Sequence, residues 1–316
     1  MRTIIENRAS IIIYNLLLSN SFIGDTFILP SNICPIVPAT ILKAGKKVAF
    51  VDINNQTLLP SYQSILDLLG NQSNIAGILF SNTLGISHNH EAFYTELKER
   101  NPALFLIDDR CLQIPETDAH LTNADVVLYS TGYSKVLDFS KGGFAHVSET
   151  VKYQRLPLTY SSKDFKELQA QFQQVLKSKS KFHFKDGHWF GNPHKEINRE
   201  TYFTEINSKL DELLAHKFRL NKIYQENISP PFIMGENLNQ WRYSVKVNNK
   251  EDVLKKIFDA GLFASSHYQP VASIFGDGPE TNAKYLHDVT INLFNDFRYD
   301  ESKALETSKI INQYAR

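Results

Sequence analysis

Short, continuously apolar segments alternate with helix-like segments through the first half of this 316-residue chain. Strand-like runs cover residues 26–29, 47–53, 75–80, 103–107, 125–129 and 143–147, and helical patterns fall at 33–44, 61–69 and 90–100. Strands that are apolar on both faces are typical of a parallel sheet covered by helices on both sides. Ligands of such sheets bind beyond the carboxyl ends of the strands, so the residues that follow each strand are the candidate site residues.

The pattern changes near residue 150. Residues 161–181 and 202–224 read as helices separated by a loop at 181–195, and residues 229–235 form a proline-containing connector. The rest reads as a strand at 241–247, a helix at 250–260, a further strand and a final helix at 302–314. We predict a large α/β domain over residues 1–210 and a small α+β domain over residues 211–316, both within the usual range of domain sizes.

The loop at 181–195 is rich in histidine and aromatic residues. Its candidate metal ligands are His183, His188 and His194, with Trp189 beside them. Their spacing fits no compact zinc signature. We therefore predict a structural loop anchored by aromatic side chains, and no metal site.

Charge and cysteine content exclude several classes of protein. Lys plus Arg and Asp plus Glu both number 34, so the formal charge of zero gives no electrostatic reason to expect a nucleic-acid or anionic-membrane partner. Cys34 and Cys111 lie far apart and form no CxxC motif, which is typical of a reducing, cytoplasmic compartment. The apolar run at 10–18 is too short to cross a bilayer, and no signal-peptide cleavage site follows it. We expect a cytoplasmic protein.

Two predicted strands end in charged residues. Asp108 and Asp109 directly follow the run LFLI, where an acidic pair is either a helix-cap or turn device or a set of carboxylates for a metal or phosphate site. Lys135 closes the segment STGYSK after the strand DVVLY. A lysine at this point is either a solvated loop residue or, inside a cleft, an amine whose lowered pKa makes it nucleophilic toward carbonyl carbons.

Two further segments have the same ambiguity. Gly142 and Gly143 precede the strand GFAHV, either as a turn or as a point where another backbone approaches closely. Residues 7–10 lead into an apolar helix, whose first N–H groups are either simply capped or form an anion site with Arg8 and Ser10. Each feature has an ordinary structural interpretation alone, but their order along the chain makes a pattern.

In that order the segments resemble the DegT/DnrJ/EryC1/StrS family of pyridoxal-phosphate-dependent sugar aminotransferases. The similarity is clearest over residues 7–147, and is carried by GDTFILPSNICPIVPATILKAGKKVAFVDIN, by LFLIDDRCLQ, and by YSTGYSK with the glycine pair after it. The later part is similar more loosely, in WRYSVKV, DAGLFASSHYQPV and INLFND. The resemblance implies an aspartate-aminotransferase-like fold of type I, with a mostly parallel seven-stranded large-domain sheet containing one antiparallel strand and a small C-terminal α+β domain. It also implies a homodimer with shared active sites.

The resemblance also implies roles for individual residues. Lys135 would hold pyridoxal 5'-phosphate as a Schiff base and later act as the base that moves the proton. Asp109 would pair with the pyridine nitrogen, with Asp108 as the fallback. The phosphate would be held by Ser130 and by the turn that contains Arg8, Ala9 and Ser10. Cys34 falls at the position of the aromatic residue near the cofactor ring.

On the substrate side, His267 and Tyr268 border the pocket by resemblance, or form a packed pair. Arg242 is a candidate ligand for a carboxylate or phosphate of the substrate. The implied reaction moves an amino group from glutamate or glutamine to a nucleotide-linked keto-sugar, as in cell-surface polysaccharide or related biosynthesis.

The sequence departs from the family pattern at several points. Six residues precede Asn7, whereas members of the family carry several tens of residues there. Leu112 stands where members often have a Gln or His near the cofactor ring. Glu200 and Tyr202 stand where members supply an Asn and an Arg to the active site of the neighbouring subunit. Two alternatives therefore stay open. One is different pyridoxal-phosphate chemistry on the same fold, as in a lyase or an amino-acid aminotransferase. The other is a non-catalytic relative that acts by binding.

Overall fold

The computed structural model describes residues 1–190 and 197–316. In the first half, strands and helices alternate as predicted. The strands are β1 (Arg2–Glu6), β2 (Thr26–Pro30), β3 (Lys47–Val51), β4 (Ile75–Ser81), β5 (Phe105–Asp109), β6 (Val126–Ser130) and β7 (Gly143–Val147). The helices between them are α1 (Ala9–Ser19), α2 (Ile36–Lys43), α3 (Tyr62–Asn71) and α4 (Glu91–Arg100).

The seven strands form one sheet in the order β1-β7-β6-β5-β4-β2-β3. Strands β2 to β6 pair in parallel, and β7 is antiparallel to both of its neighbours, β1 and β6. This confirms the predicted fold class, including the single antiparallel strand. Strand β1 was not predicted from the sequence, because its residues begin with a charge and become a strand only by pairing with the edge of β7.

The sheet has a buried core on each face. Helices α1 and α2 cover one face, with Ile12, Leu16 and Ile41 against the sheet; α3 and α4 cover the other, with Ile65, Tyr94 and Leu97. In β5 the side chains alternate between these faces because the period of a strand is two. Phe105 and Ile107 belong to the core under α1 and α2, and Leu106 to the core under α3 and α4. This alternation sends the next two residues, Asp108 and Asp109, to opposite faces.

The second half builds a smaller sheet. Helix α5 (Ser162–Ser178) is followed by the long helix α6 (Arg199–Asn227), then β8 (Tyr243–Lys246), α7 (Lys250–Asp259), β9 (Ala264–Ser265), α8 (Ala272–Phe275), α9 (Thr281–Val289), β10 (Thr290–Leu293) and α10 (Glu301–Tyr314). Strands β8, β10 and β9 form an antiparallel sheet in that order. Its core includes Tyr224 near the end of α6, Ile257 of α7 and Ile311 of α10.

Helix α6 connects the two parts of the chain. Its first half, through Ile206 and Leu213, packs on the large-domain strands, and its second half, through Leu220 and Tyr224, packs on the small sheet. The boundary predicted at residues 210 and 211 therefore falls inside this helix. Among the described residues, no helix combines the length and the hydropathy needed to cross a bilayer.

Candidate active site

A cavity of about 790 Å³ lies beyond the carboxyl ends of the parallel strands. Its floor is lined by Cys34, which follows β2, by Asp109 at the end of β5 and by Ser130 at the end of β6. Residues of α5, of β9 and of the loop that follows β10 complete the wall. Most of the predicted site residues meet here: Arg8, Ala9, Ser10, Cys34, Asp109, Ser130, Lys135, His267 and Tyr268. Asp108 and Arg242 are the two that the lining does not include.

Lys135 lies in the turn between β6 and β7, and its side chain points into the cavity. Burial disfavours the charged amine, but interaction with the acidic groups around it, Tyr268 first and then Cys111 and Cys34, raises its pKa above the ordinary value. Asp109 contributes in the same direction. The lowered pKa expected of a nucleophilic lysine inside a cleft is therefore not found. The Lys135 amine lies near a carboxylate and a phenol in a cavity lined by residues of both parts of the chain, which is not the setting of a solvated loop lysine.

Asp109 and Asp108 separate as the strand alternation requires. Asp109 faces the cavity, and its Oδ1 accepts a hydrogen bond from the backbone N–H of Cys111 at 3.0 Å. Asp108 lies on the opposite face and is fully buried, where it accepts hydrogen bonds from Arg110 Nε at 2.8 Å and from Asn82 Nδ2 at 2.9 Å. Burial raises the pKa of Asp108 to about 6, although the Arg110 guanidinium opposes this. Asp108 is thus a structural ion-pair partner and not the fallback site residue.

The amino end of α1 forms a cradle at one end of the cavity. Its N-cap, Arg8, makes no side-chain capping hydrogen bond, and Ala9 and Ser10, the first two residues of the helix, line the cavity. Ser130 lies beside them at the end of β6. Such a helix end favours anions through its free N–H groups and its dipole.

Gly143 allows the cradle to form. A Cβ at this position would lie 2.5 Å from the backbone nitrogen of Ala9 and 2.8 Å from its Cα. The backbones of β7 and α1 therefore meet more closely than any side chain would permit. The neighbouring Gly142 has φ +92°, and its N–H donates to the carbonyl of Asn7 at 2.8 Å. The glycine pair is a close backbone approach and not only a turn.

Arg8 extends the cradle toward α5. Its guanidinium carbon lies 4.8 Å from the centroid of the Phe165 ring, a cation–π arrangement. Burial lowers the pKa of Arg8, which the phenol of Tyr160 partly offsets. The side chain nonetheless remains a cation at neutral pH and adds positive charge beside the helix end.

Two cysteines and a leucine line the cavity near Lys135. Burial raises the pKa of Cys34 and raises that of Cys111 well above the ordinary value, so both are neutral thiols at neutral pH. Neither is in a disulfide. With Leu112 they make the floor beside Asp109 apolar.

His267 and Tyr268 close the cavity from the small-domain side. The Tyr268 ring is parallel to the Trp241 ring, with centroids 6.3 Å apart and planes 4° apart. Burial raises the pKa of Tyr268 and lowers the pKa of His267 to about 4, so both side chains are neutral over the physiological range. His267 Nδ1 is buried and has no hydrogen-bond partner among the described residues.

The structure does not bring Arg242 to the cavity. The side chain is fully buried, and its Nη1 forms an ion pair with Asp296 Oδ2 at 2.6 Å. This corrects the prediction that Arg242 binds a substrate carboxylate or phosphate, because the charge is already matched 54 residues away along the chain.

Helix α5 supplies site residues that the sequence analysis did not single out. Phe165, Gln169 and Phe172 line the cavity, together with Trp241 and the rings of Phe263 and Phe294. Phe165, Gln169 and Phe172 follow one another at the helical spacing of three and four residues, which was the available signal. The pattern shows that these residues share a face, but not that the face covers the site.

The loop rich in histidine and aromatic residues lies away from the cavity floor. Trp189 and Phe190 are buried in a cluster that includes Leu168 and Val175 of α5. The Lys43 amine lies within 6 Å of both ring centroids and pairs with Asp186. These contacts agree with the predicted aromatic anchoring, while His194 lies outside the described residues.

Comparison with solved structures identifies the fold. An aminotransferase of the DegT/DnrJ/EryC1/StrS type from Brucella abortus is 16% identical over 100% of this chain and 86% of its own, with a TM-score of 0.68. PseC of Helicobacter pylori, an aminotransferase involved in the biosynthesis of pseudoaminic acid, is 14% identical over 99% and 86%, with a TM-score of 0.70. DesI, solved in the presence of its TDP-sugar product, is 12% identical over 99% and 80%, with a TM-score of 0.73.

The chain has the type I aminotransferase fold. The structural neighbours are thus of the kind that the sequence resemblance indicated. No protein-family model and no curated protein sequence matches the chain. At identities this low the aminotransferase fold is what the likeness shows, and the function has to be argued from the cavity.

Proposed function

We propose that the protein is a pyridoxal-phosphate-dependent aminotransferase. The observation that supports this most directly is the arrangement around one cavity of a half-buried lysine, a carboxylate and a helix end without a side-chain cap: Lys135, Asp109 and the first turn of α1. The cofactor has three matching groups, an aldehyde, a pyridine nitrogen and a phosphate. The close approach of Gly143 to Ala9 leaves the helix N–H groups accessible to an anion, as a phosphate requires.

Each residue then has a defined task. Bound pyridoxal phosphate supplies an aldehyde that condenses with amines and a ring that accepts electrons from the substrate carbon. The Asp109 carboxylate, whose Oδ1 accepts a hydrogen bond from the Cys111 N–H, would hold a proton on the ring nitrogen. Ser130, Ser10 and Arg8 orient the phosphate by hydrogen bonds and charge.

Lys135 has two tasks. Its amine would hold bound pyridoxal phosphate through the aldehyde, and Nζ, once free, would remove the proton from the substrate and return it. Tyr268 and the apolar floor formed by Cys34 and Leu112 keep water away from that proton.

The absorption spectrum tests this assignment. The purified protein with pyridoxal phosphate is compared with Lys135→Ala and with Lys152→Ala, a control that removes an exposed lysine outside the cavity. We expect a visible band from lysine-bound cofactor in the wild type and in Lys152→Ala, and its loss in Lys135→Ala. Borohydride reduction followed by mass spectrometry should place the cofactor on Lys135. A wild-type protein that gives no visible band and no adduct would refute the enzyme assignment and favour the binding relative.

We further propose that the amino donor is glutamate or glutamine and that the acceptor is a nucleotide-linked keto-sugar. The acceptor is supported by DesI, which was solved in the presence of its TDP-sugar product. Single-turnover reactions separate this from the alternatives: glutamate should bleach the visible band, and a nucleotide-linked keto-sugar should restore it. Restoration by 2-keto acids alone would instead indicate an amino-acid aminotransferase.

We also propose a cytoplasmic homodimer. Tyr133 and Phe263 line the cavity, yet 75% and 57% of their surfaces are exposed at its mouth, where a second copy would cover them. The two unpaired cysteines suit a reducing compartment. Light scattering of the purified protein measures the oligomeric state, and a monomer at micromolar concentration would contradict the proposal.

A further inference from the structure

Ser134, the residue directly before Lys135, has an unusual backbone. Its φ is +62°, in the left-handed region that a residue with a Cβ adopts only when its surroundings hold it there. The direction of the Lys135 side chain depends on this conformation, because the two residues share a peptide plane.

The contacts of Ser134 come mainly from the small domain. Trp241 Nε1 donates to the Ser134 carbonyl oxygen at 2.7 Å, and Arg242 Nη2 donates to its Oγ at 3.1 Å. Its N–H donates to Asp138 Oδ2 at 2.7 Å, within the same turn. The backbone donor, the backbone acceptor and the side chain of Ser134 are therefore all engaged.

The Arg242 fork is itself fixed. Nη1 of the Arg242 guanidinium, the terminal nitrogen that does not contact Ser134, pairs with Asp296 Oδ2 at 2.6 Å. The same carboxylate oxygen accepts a hydrogen bond from Arg298 Nη1, also at 2.6 Å. Arg298 in turn pairs with Asp138, the residue that holds the Ser134 N–H. The contacts close a ring that begins and ends at Ser134. A fully buried guanidinium in such a ring orients its two donors in fixed directions, as a lysine amine would not.

A purely stabilising role explains this arrangement poorly. Burying an ion pair costs desolvation, and apolar side chains of similar volume stabilise a core at least as well. What apolar side chains cannot do is hold a left-handed serine by its carbonyl and hydroxyl groups. The ring is thus suited to fixing the geometry of the turn.

We propose that Trp241 and Arg242 are positioning residues for Lys135: through Ser134 they hold its amine in the cavity opposite Asp109, and so couple the small domain to the presentation of the lysine. This inference rests on the proposed function, since it concerns the lysine that binds pyridoxal phosphate. Arg242 lies outside the cavity lining, and Trp241, whose ring forms part of the wall, acts on Lys135 through the hydrogen bond from its Nε1 to Ser134.

Two variants separate positioning from folding. Trp241→Phe keeps an aromatic ring against Tyr268 but removes the Nε1 donor, and Arg242→Lys keeps a cation beside Asp296 but removes the second arm of the fork. Trp189→Phe is the matched control, because Trp189 is equally buried and its Nε1 has no hydrogen-bond partner among the described residues.

The first measurement is titration with pyridoxal phosphate, followed through the visible band of the lysine-bound form. We expect Trp241→Phe and Arg242→Lys each to weaken attachment by about five-fold, the effect of one hydrogen bond, and Trp189→Phe to change it by less than about two-fold. Melting temperatures measured in parallel show whether each variant is folded.

The second measurement repeats the titration in a Lys135→Ala background, where calorimetry reports the non-covalent binding of pyridoxal phosphate. If the two residues act through the lysine, their effect disappears in this background. An equal loss of affinity with and without Lys135 would overturn the inference, and so would unchanged attachment in both folded variants. Absence of attachment in the wild type would instead refute the proposed function.

Discussion

Replacing Gly143 by alanine tests the anion cradle directly. The new Cβ would lie 2.5 Å from the Ala9 nitrogen, whereas ordinary contacts begin near about 3.4 Å, so the backbones must separate by roughly 0.9 Å. Neither side moves easily. Strand β7 pairs at this residue with Glu6 on one side and Ser130 on the other, and α1 is anchored by fully buried side chains that include Ile12 and Leu16.

The structure sets the size of the expected effect. Overpacking of this kind costs about 1–3 kcal/mol. Because the displaced atoms are the first N–H groups of α1, we expect most of this cost to appear as lost affinity for the phosphate. At about 1.4 kcal/mol per factor of ten, pyridoxal phosphate should bind roughly 5- to 150-fold more weakly.

The assay is a titration with pyridoxal phosphate, together with urea unfolding in the absence of ligand. Gly70→Ala is the control, because a Cβ at Gly70 in α3 meets no atom within 4 Å. It should leave affinity unchanged and stabilise the protein by about 0.5–1 kcal/mol. A folded Gly143→Ala protein that binds pyridoxal phosphate as tightly as the wild type would show that the phosphate does not lie in the cradle.

Three further changes test the site, the small domain and the core. Asp109→Asn should retain attached cofactor but slow the bleaching of the visible band by an amino donor on the order of 100-fold, because the ring nitrogen loses its anionic partner; an unchanged rate in stopped-flow measurements would exclude Asp109 from this role. Burial lowers the pKa of Lys217 to about 7. The unfolded chain keeps this proton to about pH 10.5, so unfolding takes up a proton between these values and stability should rise with pH by up to about 1.4 kcal/mol per unit. Lys217→Met should remove that slope, and parallel urea-unfolding curves from pH 6 to 9 would count against it. Leu16→Ala deletes a fully buried side chain and should cost about 2–5 kcal/mol of unfolding free energy by the same method, a value below 1 kcal/mol being inconsistent with the packed core under α1.

Local rules were sufficient for much of the large domain. Continuous apolar runs predicted the six strands β2 to β7 along the chain, because a strand that is buried on both faces reads as an unbroken apolar run. The turn that ends at Lys135 was placed after β6 by the same argument, and the topology then brings it to the cavity. The ends of the strands were predicted less accurately. The sequence pattern ended the strand at residue 107, but β5 runs through Asp109 because its pairing with β4 continues to Ser81.

The sequence by itself determined which candidate residues follow the buried strands and in what order they occur. Lysine, aspartate, serine and paired glycines at the ends of buried strands require only chain order and the rule that parallel strands end at one edge. Local sequence did not distinguish Asp109 from Asp108 as the residue that faces the site. Two adjacent carboxylates are equivalent until the strand sends their side chains to opposite faces of the sheet.

Only the tertiary structure decided the roles of residues whose partners are distant in sequence. Arg242 reads as a candidate substrate ligand because its counter-charge, Asp296, is 54 residues away and on another strand end. Helix α5 reads as a polar surface helix until its apolar face is placed over the cavity. The physical reason is the same in both cases. Burial and ion pairing are properties of the folded surroundings, and a local pattern does not contain them.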